Sequence, residues 1–174
     1  MNKRLTTKYG MLTSFYFHKI LKEIIKIGNL DNLNLSILDF GCGYGELKKL
    51  LGNRKNIINY DIKPEFTDVE DWKSFDFDVI VVNQVFYTFS QEELEKVLNE
   101  FIITNPKAVL IVGISNQNVF NKLAAFITLN FDAHKDTVLD QFNELSIIKK
   151  FAHLENKKNV LGLSTIYYFK LNSI

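Results

Sequence analysis

Residues 37–51 read ILDFGCGYGELKKLL, and no other stretch constrains the fold of this chain as much. A short apolar run passes into three alternate glycines, Gly41, Gly43 and Gly45, and then into a helical pattern that ends at Gly52. Strand, glycine turn and helix in that order open a β-α-β unit. Glycine supplies positive φ and removes Cβ atoms, so a ligand can lie against the backbone of such a turn. The helix behind it offers unpaired N–H groups to a carboxylate or phosphate.

Further apolar runs repeat the alternation. IINYD (57–61) is predicted as a second strand and AVLIVGI (108–114) as a fourth. FDVIVVNQ (77–84) is the third, β-branched at every position from Val79 to Val82. Ser90 and Glu93 make a capping box that opens a helix over 91–103. MLTSFYFHKILKEIIKI (11–27) sets Phe17, Ile20, Ile24 and Ile27 near one face, the pattern of an amphipathic helix. Uninterrupted apolar strands alternating with helices indicate a mostly parallel, doubly wound sheet covered on both faces. In the C-terminal third, 117–130 and 136–144 are predicted as helices. LSIIKKFAHL (145–154) and LSTIYYFKL (163–171) then form a hairpin about the polar turn ENKKN. The fold class is therefore α/β and Rossmann-like with an antiparallel C-terminal hairpin, in one domain over 1–174. Residues 1–30 would form a helical lid and 116–144 a helical insert near the substrate.

Charge and cysteine usage narrow the function. With 21 basic and 20 acidic residues the net charge is +1, so no global field gathers nucleic acid. Residues 1–26 carry Lys3, Arg4, Lys8, Lys19, Lys22 and Lys26 against Glu23, the pattern of a solvated helix face or of a weak patch for an anionic substrate or surface. The lone cysteine, Cys42, forms no intrachain disulfide and suits the reducing cytoplasm. His18, His134 and His153 are far apart, so no metal is expected. No apolar stretch reaches the ~18 residues of a membrane span, and no leader peptide is expected.

Two ligand classes compete for the glycine turn. The dinucleotide fingerprint G-x-G-x-x-G/A fits Gly41 and Gly43 but puts Glu46 where a small residue must pack. The pattern D-x-G-x-G-x-G is met in full by Asp39, Gly41, Gly43 and Gly45. It resembles the signature of class I S-adenosylmethionine-dependent methyltransferases. An acid beside the glycines accepts from the ligand's ammonium and favours a nearby sulfonium cation. Asp61 ends the second strand, where a carboxylate can bind both ribose hydroxyls in either ligand class.

The resemblance implies more. TDVEDW (67–72) is similar to the acidic segment that cradles adenine in this family, with Asp68 accepting from the amino group and the Val69 N–H facing a ring nitrogen. Ile62 or Phe66 would pack on the ring. Asn83 and Gln84 would stand at a strand tip near the methionine part of the cofactor. The implied cofactor is S-adenosyl-L-methionine and the implied partner a small-molecule methyl acceptor, with no nucleic acid and no membrane. The cofactor arrives activated, so the protein mainly positions two reactants. Tyr87, His134 and Tyr16 are the candidates on the acceptor side for a general base. Cys42 is a packing residue, since no histidine stands near it in sequence.

One departure stands out. Only Ile62 through Asp76 separate Asp61 from Phe77, too few for a helix and a full strand. The crossover helix should be cut down or lost, leaving a short extra strand or none and an exposed sheet face. That departure supports an alternative, a degenerate methyltransferase fold acting as a partner subunit. A nicotinamide-dependent oxidoreductase is the remaining one, opposed by Glu46.

Overall fold

The computed structural model describes residues 11–116 and 138–172. Helix α1 (Met11–Ile27) leads into β1 (Ile37–Phe40), α2 (Glu46–Leu50), β2 (Ile57–Tyr60) and β3 (Val79–Asn83). Then follow α3 (Gln91–Thr104), β4 (Val109–Ser115), α4 (Gln141–Phe151), β5 (Ala152–Val160) and β6 (Ser164–Leu171). The strands form one six-stranded sheet in the order β2-β1-β3-β4-β6-β5. The first four are parallel, and β6 runs antiparallel to both β4 and β5. The order reverses between β1 and β3, and ligands of open α/β sheets bind beyond the carboxyl ends of the strands at such a switch point.

Side-chain alternation feeds two cores. On one face Leu38, Phe40, Ile80, Val82, Leu110 and Phe169 pack with Leu98, Phe101 and Ile148 from α3 and α4. On the other, Ile37, Ile57, Val79, Val81, Ile111 and Ile166 pack with Tyr16, Ile20 and Ile24 of α1 and Leu47 of α2. The amphipathic stripe expected in 11–27 is real, with Ile20 and Ile24 fully buried. Its lysines 19, 22 and 26 are exposed, the solvated face that the charge pattern suggested. The capping box is also present, Ser90 accepting from the Glu93 N–H while the Glu93 side chain accepts from the Ser90 N–H.

Two boundaries differ from expectation. The predicted helix 136–144 begins only at Gln141, where Asp140 accepts from the Phe142 and Asn143 N–H groups, and it runs on to Phe151. Residues 145–151 are therefore helix, not strand. ENKKN lies inside β5, and the hairpin turns instead at Leu161–Gly162, both at positive φ. Alternating lysine and asparagine look like a turn, but on an edge strand they are a solvated face. The predicted helix 117–130 lies outside the described residues.

The crossover from β2 to β3 is as short as its length implied. Between Tyr60 and Val79 there is one 3₁₀ turn, Trp72–Ser74, and neither a strand nor an α-helix. Trp72 is buried against Phe40, Tyr60 and Phe101, with ring centroids at 5.9, 6.4 and 5.1 Å. One indole thus covers part of the sheet face that the missing helix leaves open, and Ile58 and Tyr60 stay half-buried.

Candidate functional site

The site is built at the carboxyl ends of β1, β2 and β3. Gly41, Gly43 and Gly45 have φ of 75°, 52° and 67°, the left-handed region that L side chains avoid. The turn is anchored from β2, since the Gly41 and Cys42 N–H groups both donate to the Tyr60 carbonyl, at 2.7 and 3.1 Å. A Cβ on Gly41 would collide with Val85, just past β3, so glycine there lets the two strand tips close up at the switch point. A Cβ on Gly43 would meet no protein atom, so that face of the turn is open.

The acids divide into two kinds. Asp61 and Asp68 are held by backbone N–H groups. Asp61 accepts from Gly43 at 3.0 Å with one oxygen and from Lys63 at 3.0 Å with the other. Asp68 accepts with Oδ2 from the Asn59 N–H at 2.9 Å and from the Lys48 ammonium at 2.7 Å. Burial would raise the Asp68 carboxyl, but these bonds to Lys48 and Asn59 outweigh it and leave it below the usual range.

Asp39 is the other kind. It is 5% exposed, and no cation stands against it among the described residues. Burial first, and the Asp61 charge second, push its carboxyl up to about 7. Strand alternation puts Asp39, Asn59 and Asn83 on the α1/α2 face, with Asp39 directly opposite Asn59 in register. The Oδ1 atoms of Asn59 and Asn83 are buried and accept no hydrogen bond. Two buried amide acceptors at the strand tips therefore lack donors, beside the buried carboxyl of Asp39. Such groups are costly unless a ligand supplies the donors. A ligand's ammonium would supply such donors and its sulfonium charge would favour a nearby carboxylate, so the residues present fit S-adenosylmethionine.

Other expected residues surround these groups. Gln84 lies in the left-handed region at φ 57°, its N–H donating to the Gly113 carbonyl at 2.8 Å. Asn83 sits against Gly113, where a Cβ would collide with its amide oxygen. Ile62 is 90% exposed beside Asp61, Val69 is half-buried, and Tyr44 packs on Phe66 at 4.6 Å. Tyr87 lies in the 3₁₀ turn Phe86–Thr88 after β3, and its carbonyl accepts from the Val138 and Leu139 N–H groups. His134 lies outside the described residues. Burial raises the Cys42 thiol well above its ordinary value, as befits a packing residue. Two open depressions beside α3, lined in part by Trp72, Lys73 and Glu100, share only Tyr60 with the residues above.

Sequence reasoning missed Asn59 and Ser164. Asn59 was visible only as a polar residue at an inward position of an apolar strand, and Ser164 carried no local signal.

A profile described as a methyltransferase domain matches residues 12–153. The chain belongs to the class I S-adenosylmethionine-dependent methyltransferases. Solved structures share the fold of this methyltransferase at low identity. The PH0226 protein from Pyrococcus horikoshii OT3 is 16% identical with a TM-score of 0.66, over 89% of this chain and 91% of that one. Magnesium protoporphyrin IX methyltransferase (ChlM) from Synechocystis PCC 6803, with bound SAH, is 13% identical with a TM-score of 0.65, over 97% and 90%. Small RNA methyltransferase HEN1 is 18% identical with a TM-score of 0.67, over all of this chain but 27% of that one. No curated protein matches the chain closely enough to count as a relative. The family's cofactor is S-adenosylmethionine, as expected, and Glu46 is an exposed partner of Lys49 at 2.8 Å. No helix among the described residues is long and apolar enough to cross a membrane.

Proposed function

We propose that this methyltransferase moves the methyl group of S-adenosylmethionine to a small, uncharged polar molecule. The observation that carries the acceptor class is the chemistry around the tips of β3 and β4. Residues 83–90 and 138–144, which meet there through Tyr87, contain no lysine or arginine. The described polar groups are amides and hydroxyls, among them Asn83, Gln84, Asn116 and Gln141, with the carboxyls of Asp140 and Glu144 as the charged side chains. A nucleic-acid acceptor would be gathered by cationic contacts to phosphate.

In this reading the Gly43 side of the turn holds the cofactor's amino-acid part, and Asp39 and the asparagine amides face its cationic groups. Asp61, fixed by the Gly43 and Lys63 N–H groups, accepts from the ribose hydroxyls. Asp68 keeps Oδ1 for the adenine amino group beside the Val69 N–H, and Ile62 covers the ring. The bound cofactor supplies an electrophilic methyl carbon on sulfur. The chain's own part is to hold the acceptor in line with it, with Tyr87 on the acceptor side and His134 as the base where the acceptor is a hydroxyl. The free thiol of Cys42 suits a reducing compartment, and we place the protein in the cytoplasm.

The test is a calorimetric titration with S-adenosylhomocysteine, followed by a methylation screen that pits neutral small polar molecules against RNA. Micromolar binding corresponds to about −8 kcal/mol. Transfer to RNA alone would sink the acceptor class. One observation favours a second reading, the replacement of a crossover helix by Trp72. Cofactor binding with no transfer to any acceptor would favour the non-catalytic partner subunit.

A further inference from the structure

A polar knot on the α1/α2 face joins three elements at the same end of the sheet. The Tyr16 hydroxyl of α1 lies 2.5 Å from the Ser164 hydroxyl at the start of β6. Ser164 is fully buried and Tyr16 is 6% exposed. The Gln84 amide nitrogen donates to the same Ser164 oxygen across a long 3.5 Å, and Gln84 also acts on the Tyr16 hydroxyl. Register places Ser164 opposite Ser115, the last residue of β4, and Gly113 opposite Asn83, the last residue of β3. The knot therefore stands directly under the strand tips that carry Gln84.

Two features argue that it is more than core filling. A buried tyrosine and serine could have been phenylalanine and alanine at little cost, since a hydrogen-bonded pair contributes little over an apolar one. Gln84 is also held in a sparsely populated backbone conformation, and such residues persist where the surroundings over-determine them, often at binding sites. With the amide nitrogen turned inward to Ser164, the amide oxygen of Gln84 is the end left for a ligand. Burial raises the Tyr16 phenol above its ordinary value, so it stays neutral and serves as a hydrogen-bonding strut rather than a base.

We infer that Tyr16 and Ser164 are positioning residues that fix Gln84 so that its amide oxygen accepts from the ammonium of the cofactor's amino-acid part. The inference rests on the cofactor placement proposed above. It also gives α1 a role in ligand affinity beyond covering the sheet.

The experiment compares two ligands on the full chain by calorimetry. S-adenosylhomocysteine carries the amino-acid part, and 5′-methylthioadenosine has the same nucleoside without it. Tyr16→Phe and Ser164→Ala should each weaken the first about five- to tenfold and move the second by less than about twofold. Gln84→Ala should do the same, and adding Tyr16→Phe to it should cost nothing more. Equal weakening of both ligands would mean that Tyr16 only packs, and unchanged affinity for S-adenosylhomocysteine would also overturn the inference. If the unmodified chain binds 5′-methylthioadenosine but not S-adenosylhomocysteine, the placement of the amino-acid part fails. If it binds neither, the cofactor site itself has been misread.

Discussion

The two ends of the row of strand tips are organised differently. Beside β1 and β2 two carboxylates are tied to nearby backbone, Asp61 to the Gly43 N–H and Asp68 to the Asn59 N–H. At β3, β4 and β6 they are tied to one another, as in the Tyr16–Ser164 pair, whose members lie 148 residues apart. The first end is assembled within some thirty residues of chain. The second exists only once the whole sheet has formed. A site half that is local in sequence is set by its own window of residues, while the other half depends on elements that only the folded sheet brings together.

The sharpest way to break that contrast is to strike where the halves meet. Gly41→Ala puts a side chain at positive φ and against Val85, which ends the other half. The expected loss is roughly 2–4 kcal/mol, from strain and overpacking together, measured by urea unfolding. A loss under about 0.5 kcal/mol would show that the two tips do not need their close approach.

Next comes pH. The unfolded chain ionises Asp39 and Glu144 near pH 4. The folded chain holds these protons until about 7 and about 8, in both cases chiefly because the groups are buried. Between those limits the native state binds more protons than the unfolded one, so stability falls as pH rises, and the loss is complete above pH 8. The ligand-free protein should melt at a higher temperature at pH 5 than at pH 8. The difference should be on the order of 2 kcal/mol for each group. Glu144→Gln should remove its share, and Asp39→Asn should do the same while weakening S-adenosylhomocysteine. A flat profile in the unmodified protein would contradict the burial of both acids.

Asp61→Ala should cost about tenfold in S-adenosylhomocysteine affinity by freeing the Gly43 N–H and removing the proposed ribose acceptor, read by calorimetry. Unchanged affinity would detach the local half from the cofactor. Lys48→Ala is the smallest change. Its pair with Asp68 is partly exposed, so about 0.5 kcal/mol of stability is at stake, visible as a small shift in the urea midpoint.

The same contrast explains what could be learned before any coordinates. Asp39, the alternate glycines and Asp61 announce themselves because a strand, a tight turn and a strand end impose their own residue types. The lost crossover helix followed from chain length alone. The C-terminal hairpin was legible as an element but not in its limits, because Leu145–Phe151 combine β-branched and aromatic residues that tertiary packing turns into helix. Asn59, Asn83 and Ser164 draw their significance from cross-strand register, which no single window of sequence contains. The pairing of Tyr16 with Gln84 required the placement of α1 against β6.

The short crossover has a consequence at the margin of the sheet. Without an outer strand, β2 presents a bare edge, and a bare edge invites a strand from another chain. Here the 67–69 segment occupies it. Asp68 accepts from the Asn59 N–H and returns its own N–H to the Asn59 carbonyl at 2.9 Å, while the Thr67 hydroxyl donates to that carbonyl at 3.3 Å. One residue thus stands in for a rung of the absent strand. At the far side β5 is kinked between Leu154 and Asn156 and carries Lys157 and Lys158 outward. Both margins are blunted, β2 by Asp68 and β5 by its irregular register and exposed lysines, which guards the sheet against edge-to-edge association.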